Sequence, residues 1–175
     1  LNALDSYSLN ETFTQGMMSN VMEGLVRRDK DLNIIPGLAE RWEQIDPLKW
    51  RFYLRKGVKF HNGEEFDADD VVYTLNFVAK PENKVVTQTN VNWIDSAEKL
   101  DKYKVRIKLK RTFPAAIDYL AGPVVIHPNE YYAKVGPNGM NTAAIGSGPY
   151  KVVEHSLGKV VKLQRHIAAA IEPEH

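Results

Sequence analysis

From Tyr103 to Lys110 the chain alternates at every step, with Tyr103, Val105, Ile107 and Leu109 on one side and Lys104, Arg106, Lys108 and Lys110 on the other. Successive side chains of a strand point to opposite faces, so this run predicts a strand with one buried and one wet face, as in an antiparallel sheet. A second stretch repeats the pattern. Trp50, Phe52 and Leu54 alternate with Arg51, Tyr53 and Arg55, and the pair Asp46-Pro47 divides them from residues 42–45 in the form of a hairpin. Gly57 breaks that strand, Val58 and Phe60 are expected to resume it, and Asn62-Gly63 marks a turn. The period then changes. Asp67 followed by Ala68, Asp69 and Asp70 reads as an acidic N-cap and first turn, and Val71, Val72, Leu75 and Val78 make a helical stripe up to Pro81.

Around this frame a first helix is expected over residues 13–23, with Thr12 and Gln15 as a capping box, Met17, Met18, Val21 and Met22 as core filler, and Gly24 as its end. Residues 81–92 read as a loop, 93–97 as a strand, and 114–120 as a short helix with a proline near its first turn. Residues 128–135 suggest another helical turn and 136–142 a loop. Gly146-Ser147-Gly148-Pro149 leads into a strand over 150–154, which turns at Leu157-Gly158 into 160–165.

Composition removes several functions. The 175 residues carry 23 Lys+Arg against 22 Asp+Glu, a formal charge of +1, which gives no strongly basic face for nucleic acid. With 43% hydrophobic residues, three Trp, eight Tyr and six Phe, the chain has a core to bury and is not expected to be disordered. No apolar stretch approaches the ~20 residues that span a bilayer. Zero Cys closes thiolate and disulfide chemistry.

Catalytic and metal signatures are missing as well. His61, His127, His155, His166 and His175 sit on separate turns or strand ends without metal-ligand spacing, and are expected to be turn or surface residues. Gly146-Ser147-Gly148 opens no helix and is too short for a nucleophile elbow. The carboxylates of Asp67, Asp69 and Asp70 have a sufficient explanation as helix caps, and the basic comb of residues 104–110 lacks aromatics for base stacking. No cofactor and no metal is implied.

The order of motifs says more than any single one. Leu4-Asp5, Glu23-Gly24-Leu25, Pro36-Gly37-Leu38-Ala39 with Trp42, Leu54-Arg55-Lys56-Gly57-Val58-Lys59-Phe60 with Asn62-Gly63, Asp67-Ala68-Asp69-Asp70-Val71-Val72, and Gly146-Ser147-Gly148-Pro149-Tyr150 follow one another along the chain. In this order they closely resemble the N-terminal portion of the peptide/nickel class (family 5) of extracytoplasmic solute-binding proteins of ABC importers, from Leu1 to about His166. The resemblance implies a periplasmic-binding-protein-like α/β lobe with a mixed sheet, plus an α+β extra subdomain. Residues 1–45 would be the first part of the ligand-binding lobe, 46–150 the extra subdomain, and 151–175 a return hairpin and an atypical tail. The second lobe, with which the first closes on ligand by hinge motion, is expected to lie outside this chain.

It also implies a non-catalytic receptor, monomeric and periplasmic or lipid-anchored on the outer face of the cell membrane, that hands a peptide or other small solute to a membrane permease. In relatives the loop after Leu-Asp reaches the ligand cleft. Here that loop offers Tyr7, Ser8, Asn10 and Glu11, and a second loop over residues 85–92 leads to Trp93; these five are the candidate ligand-binding residues. Helix capping is an equal account of Thr12 and an alternative one for Asn10 and Glu11, and a core position is the alternative for Trp93. Two other functions remain open on sequence alone: a hydrolase using carboxylates among Glu64, Glu65, Asp67 and Asp69, and the ligand-sensing module of a transcriptional regulator.

Overall fold

The computed structural model describes residues 3–8, 12–156 and 159–166. Helix α1 (Thr12–Met18) precedes two short strands, β1 (Val26–Arg28) and β2 (Ile34–Pro36), which pair antiparallel across a turn. The Asp29 carboxylate closes that turn by accepting the N–H groups of Asp31 and Asn33, both at 2.9 Å. The expected hairpin follows as β3 (Ala39–Asp46) and β4 (Lys49–Leu54). After α2 (Ala68–Ala79) and α3 (Gln88–Val91), a second hairpin of β5 (Ile94–Asp101) and β6 (Lys104–Leu109) pairs through β6 with β4. The result is a four-stranded antiparallel sheet in the order β3-β4-β6-β5. Because β3 pairs with β4, this sheet begins at Ala39 and spans the expected division at residues 45 and 46.

The alternation decides which face is covered. Phe52, Leu54, Val105, Ile107 and Leu109 are buried with Val71, Leu75 and Val78 of α2, which packs along β5 and β6. On the other face the basic comb is matched by carboxylates: Arg51 pairs with Glu43 at 3.0 Å, Lys104 with Asp101 at 2.7 Å, and Arg106 and Lys108 both with Glu98. Exposed pairs of this kind contribute less than about 1 kcal/mol each, so the sheet rests on its buried face.

Helix α2 starts as the sequence requires. The Asp67 side chain accepts the Asp69 N–H at 2.7 Å, and the Asp70 side chain accepts the Asp67 N–H at 2.9 Å, a complete capping box. Asp70 also accepts the N–H of Asn129 at 2.8 Å, which ties α2 to the start of α5 (Asn129–Thr142), and burial pushes its carboxyl up to about 6.

Elsewhere the structure differs from expectation. The first helix ends at Met18, five residues early, because the side chains of Ser19 and Asn20 turn back onto the carbonyls of Gly16 and Met17. Val58 and Phe60 are buried but form no strand; the ladder there is a single bridge between Lys59 and Glu65. The loop over 81–92 contains a 3-10 turn at Pro81–Asn83 as well as α3. Residues 136–142 are not a loop: α5 breaks at Gly136, with φ of 62°, and resumes at Pro137, whose missing N–H leaves the break without a backbone donor. Helix α4 (Ala116–Leu120) starts two residues after Pro114.

The strands β7 (Tyr150–Ser156) and β8 (Val160–Arg165) form a closing hairpin, whose expected turn at Leu157-Gly158 lies outside the described residues, as does the tail from residue 167. The glycines of Gly146-Ser147-Gly148-Pro149-Tyr150 bring this hairpin against the end of α1. Gly148 N–H donates to Val21 O at 2.9 Å and Tyr150 N–H to Asn20 O at 3.0 Å. A Cβ would stand 2.0 Å from Val21 O at Gly146 and 2.6 Å from Asn20 O at Gly148, so only glycine fits either place.

Candidate functional site

Residues 5–8 make a turn closed by Ser8 N–H donating to Asp5 O at 3.2 Å. Three separate parts of the chain hold it. Asn141 Oδ1, on the second half of α5, accepts the N–H groups of Leu4 and Asp5 at 2.9 and 2.7 Å. Tyr7 lies buried with its hydroxyl donating to Val125 O at 2.6 Å, and burial together with the nearby Asp5 charge pushes the phenol well above its usual range. From the loop that precedes α3, Val86 N–H donates to Tyr7 O at 3.0 Å. The described part of the loop that follows Leu4-Asp5 and the loop over residues 85–92 thus meet through a backbone hydrogen bond.

Residues of this turn line two hollows. One, of about 290 Å³, lies between α1 and the Gly122-Pro123 segment, with Ser6, Gln15, Met18 and Val125 in its wall. The other, of about 230 Å³, has Tyr7 and Ser8 facing Val85 and Val86, with Phe77 and Tyr132 among its lining residues. The first wall is mainly apolar and carries hydroxyls and an amide, whereas the second also includes Asp5, Asn83 and Lys84.

Of the five residues expected to touch ligand, Tyr7 and Ser8 stand together here. Ser8 Oγ donates to the Asp5 carboxylate. Asn10 and Glu11 lie outside the described residues. The turn and Trp93 are not brought together: Trp93 is 0% exposed, stacks on Phe113 with ring centroids 5.1 Å apart, and spends its indole N–H on Asn90 O at 2.7 Å. It lines neither hollow, and its indole N–H is bonded to α3. The wall at residues 122–125 carried no signal in the sequence as a partner of Tyr7, since the two are 118 positions apart.

A third hollow, about 190 Å³, is lined by carboxylates, among them Glu64, Glu65, Asp67 and Asp69. Most of them have structural partners. Asp67 and Asp70 cap α2, Asp69 accepts from Lys99 at 2.7 Å, and Glu65 accepts from the Tyr103 hydroxyl and from Lys102, bonds that hold its carboxyl below the usual range. Among the described residues no group of three or more His, Cys, Asp or Glu is arranged to hold a metal ion. The histidines are not all turn or surface groups, however. His127 is buried beside Asp5, and the rings of His61 and His166 meet edge to face at 4.8 Å.

This geometry and order of elements are those of a solute-binding lobe. The family described as bacterial extracellular solute-binding proteins, family 5 Middle, matches residues 33–167, and the chain belongs to it. Among curated proteins it is similar to the glutathione-binding protein GsiB of Pectobacterium atrosepticum, with 31% identity over 169 residues that cover 93% of this chain and 32% of that protein. Among solved structures it is similar to AgaA of A. tumefaciens R10 in complex with agropinic acid, at 30% identity and a TM-score of 0.88, covering 97% of this chain and 35% of that one. It is likewise similar to the oligopeptide-binding protein AppA of Bacillus subtilis in complex with a nonapeptide, at 28% identity and a TM-score of 0.87, with coverage of 97% and 35%. The chain spans about a third of the length of the relatives it matches. Among the described residues no helix is long and apolar enough to cross a membrane.

Proposed function

We propose that this chain supplies one wall of the ligand cleft of a periplasmic or surface-anchored receptor, which closes by hinge motion on a peptide or similar small polar solute and delivers it to an ABC permease without catalysis. The observation that carries this reading is the turn at residues 5–8: its residues line two hollows, and it is tied both to residue 125 and to the loop at Val86. Tyr7 and Ser8 are the proposed ligand-side residues within it, and Asn10 and Glu11, next in the sequence, are proposed to contact ligand as well. Trp93 is proposed to act through the fold of its loop, since its ring is enclosed. The similarity to a glutathione-binding protein favours a short peptide with free carboxylates as solute. The receptor is proposed to act as a monomer.

Ligand that binds only the native state raises stability by RT ln(1 + [L]/Kd), about 2.7 kcal/mol at a hundredfold excess over Kd. Thermal unfolding of the full-length protein with glutathione, tri- to pentapeptides and opines is therefore expected to show a dose-dependent rise for at least one class. A flat response across all of them opposes the proposal.

A further inference from the structure

Asp5 carries a carboxylate that is 0% exposed. A carboxyl in such a place must have its oxygens met by donors, because a buried polar group without partners is unfavourable. Its Oδ2 takes the Ser8 hydroxyl and its Oδ1 faces the Tyr132 hydroxyl at 3.3 Å, both neutral donors. Among the described residues no lysine or arginine stands within ion-pair distance of it. The cation-capable group that does is His127, with Nε2 3.4 Å from Oδ1.

His127 is 1% exposed, and neither of its ring nitrogens has a hydrogen-bond partner. Its ring is nevertheless held firmly. Tyr132 stacks on one face, with centroids 4.6 Å apart and planes 8° from parallel, and Tyr7 meets it edge-on at 5.2 Å. The His127 N–H donates to Thr74 Oγ1 on α2 at 3.1 Å. Nε2 thus stands at ion-pair distance from Asp5, without hydrogen-bond alignment in this conformation and with no other partner competing for it.

We propose that His127 is a positioning residue of the candidate binding loop: a small turn of its ring from the 3.4 Å approach lets Nε2 donate to the Asp5 carboxylate, and through it His127 fixes residues 5–8 without touching solute. The kink at Gly136 completes the device. Tyr132 reaches Asp5 from the first half of α5, while Asn141 holds the Leu4 and Asp5 amides from the second half. Only the consequence for ligand affinity rests on the proposed solute-binding role; the positioning itself does not.

The test uses the full-length protein without ligand. A long-range ¹H–¹⁵N spectrum should show His127 Nε2 protonated. His127→Leu should speed hydrogen exchange at the Asp5 and Val86 amides about tenfold or more relative to Ile107 in β6, since a buried acceptor left unmade costs on that scale. His127→Gln, which keeps an N–H donor, should return both amides to within about threefold of wild type. An unprotonated Nε2 overturns the proposal, as does equal loosening by Gln and Leu, or no loosening by either. Should His127→Leu fail to fold, the wild-type spectrum and the His127→Gln exchange decide. Glutathione titration of the same samples reads the solute assignment separately, so a protein with the histidine signature and no glutathione binding counts against that assignment alone.

Discussion

Acidification sets His61 against the backbone it supports. Its Nε2–H donates to Gly148 O at 2.9 Å while its Nδ1 accepts the Gly146 N–H at 3.2 Å, so the neutral ring serves as donor and acceptor at once. Protonation of Nδ1 would remove the acceptor. Desolvation, aided by repulsion from His166 and Lys151 and opposed by the bond to Gly148, brings the imidazole down to about 4. A folded-state value below the unfolded one means that this contribution is complete above about 6.5 and is lost as pH falls from there through 4. The displacement corresponds to at most roughly 3 kcal/mol, and because the ring is partly open to solvent about half of that is expected. Urea unfolding of wild type and His61→Gln at pH 7.5, 6, 5 and 4 measures it. Glu23, which burial raises to about 7, and Asp70, raised to about 6, change stability in the opposite sense, losing it as pH rises through those values, but they cancel in the difference between the two proteins. Wild type should lead at pH 7.5 by about 1–2 kcal/mol and the gap should close by pH 4. A gap independent of pH, or a His61 ring proton titrating near 6.5, refutes the reasoning.

Three further substitutions test the fold around the site. Tyr7→Phe leaves the buried Val125 carbonyl without its 2.6 Å donor and should cost about 1–3 kcal/mol in urea unfolding. Gly148→Ala places a Cβ against the Asn20 carbonyl at 2.6 Å, backbone that cannot swing aside, and should cost about 1–3 kcal/mol or more in the same assay. Asp67→Ala removes the α2 cap and should cost about 1 kcal/mol by thermal unfolding while leaving ligand affinity unchanged.

How much of this was legible in the sequence depends on where each signal resides. The α2 cap, the β3-β4 hairpin and the alternation of β6 are written in adjacent residues, and period and cap chemistry suffice to find them. The family likewise shows in motif order, and the packing now gives Gly146 and Gly148 a physical reason. The early end of α1 was harder, because Ser19 and Asn20 compete for carbonyls that the apolar pattern assigns to a continuing helix. Pro137 after Gly136 looked like the end of a helix although it begins a new segment of one. Least legible was the buried polar cluster. Asp5, His127, Tyr132 and Asn141 come from distant parts of the chain, and nothing near His127 distinguishes it from a surface histidine.

The claim that residues 5–8 and 122–125 face the bound solute is tested most directly by a crystal structure of the full-length protein with the solute that stabilises it most. The account predicts solute atoms within hydrogen-bond or van der Waals distance of Ser6, Tyr7 or Ser8 and of residues 122–125. A solute bound with no contact to either segment contradicts it.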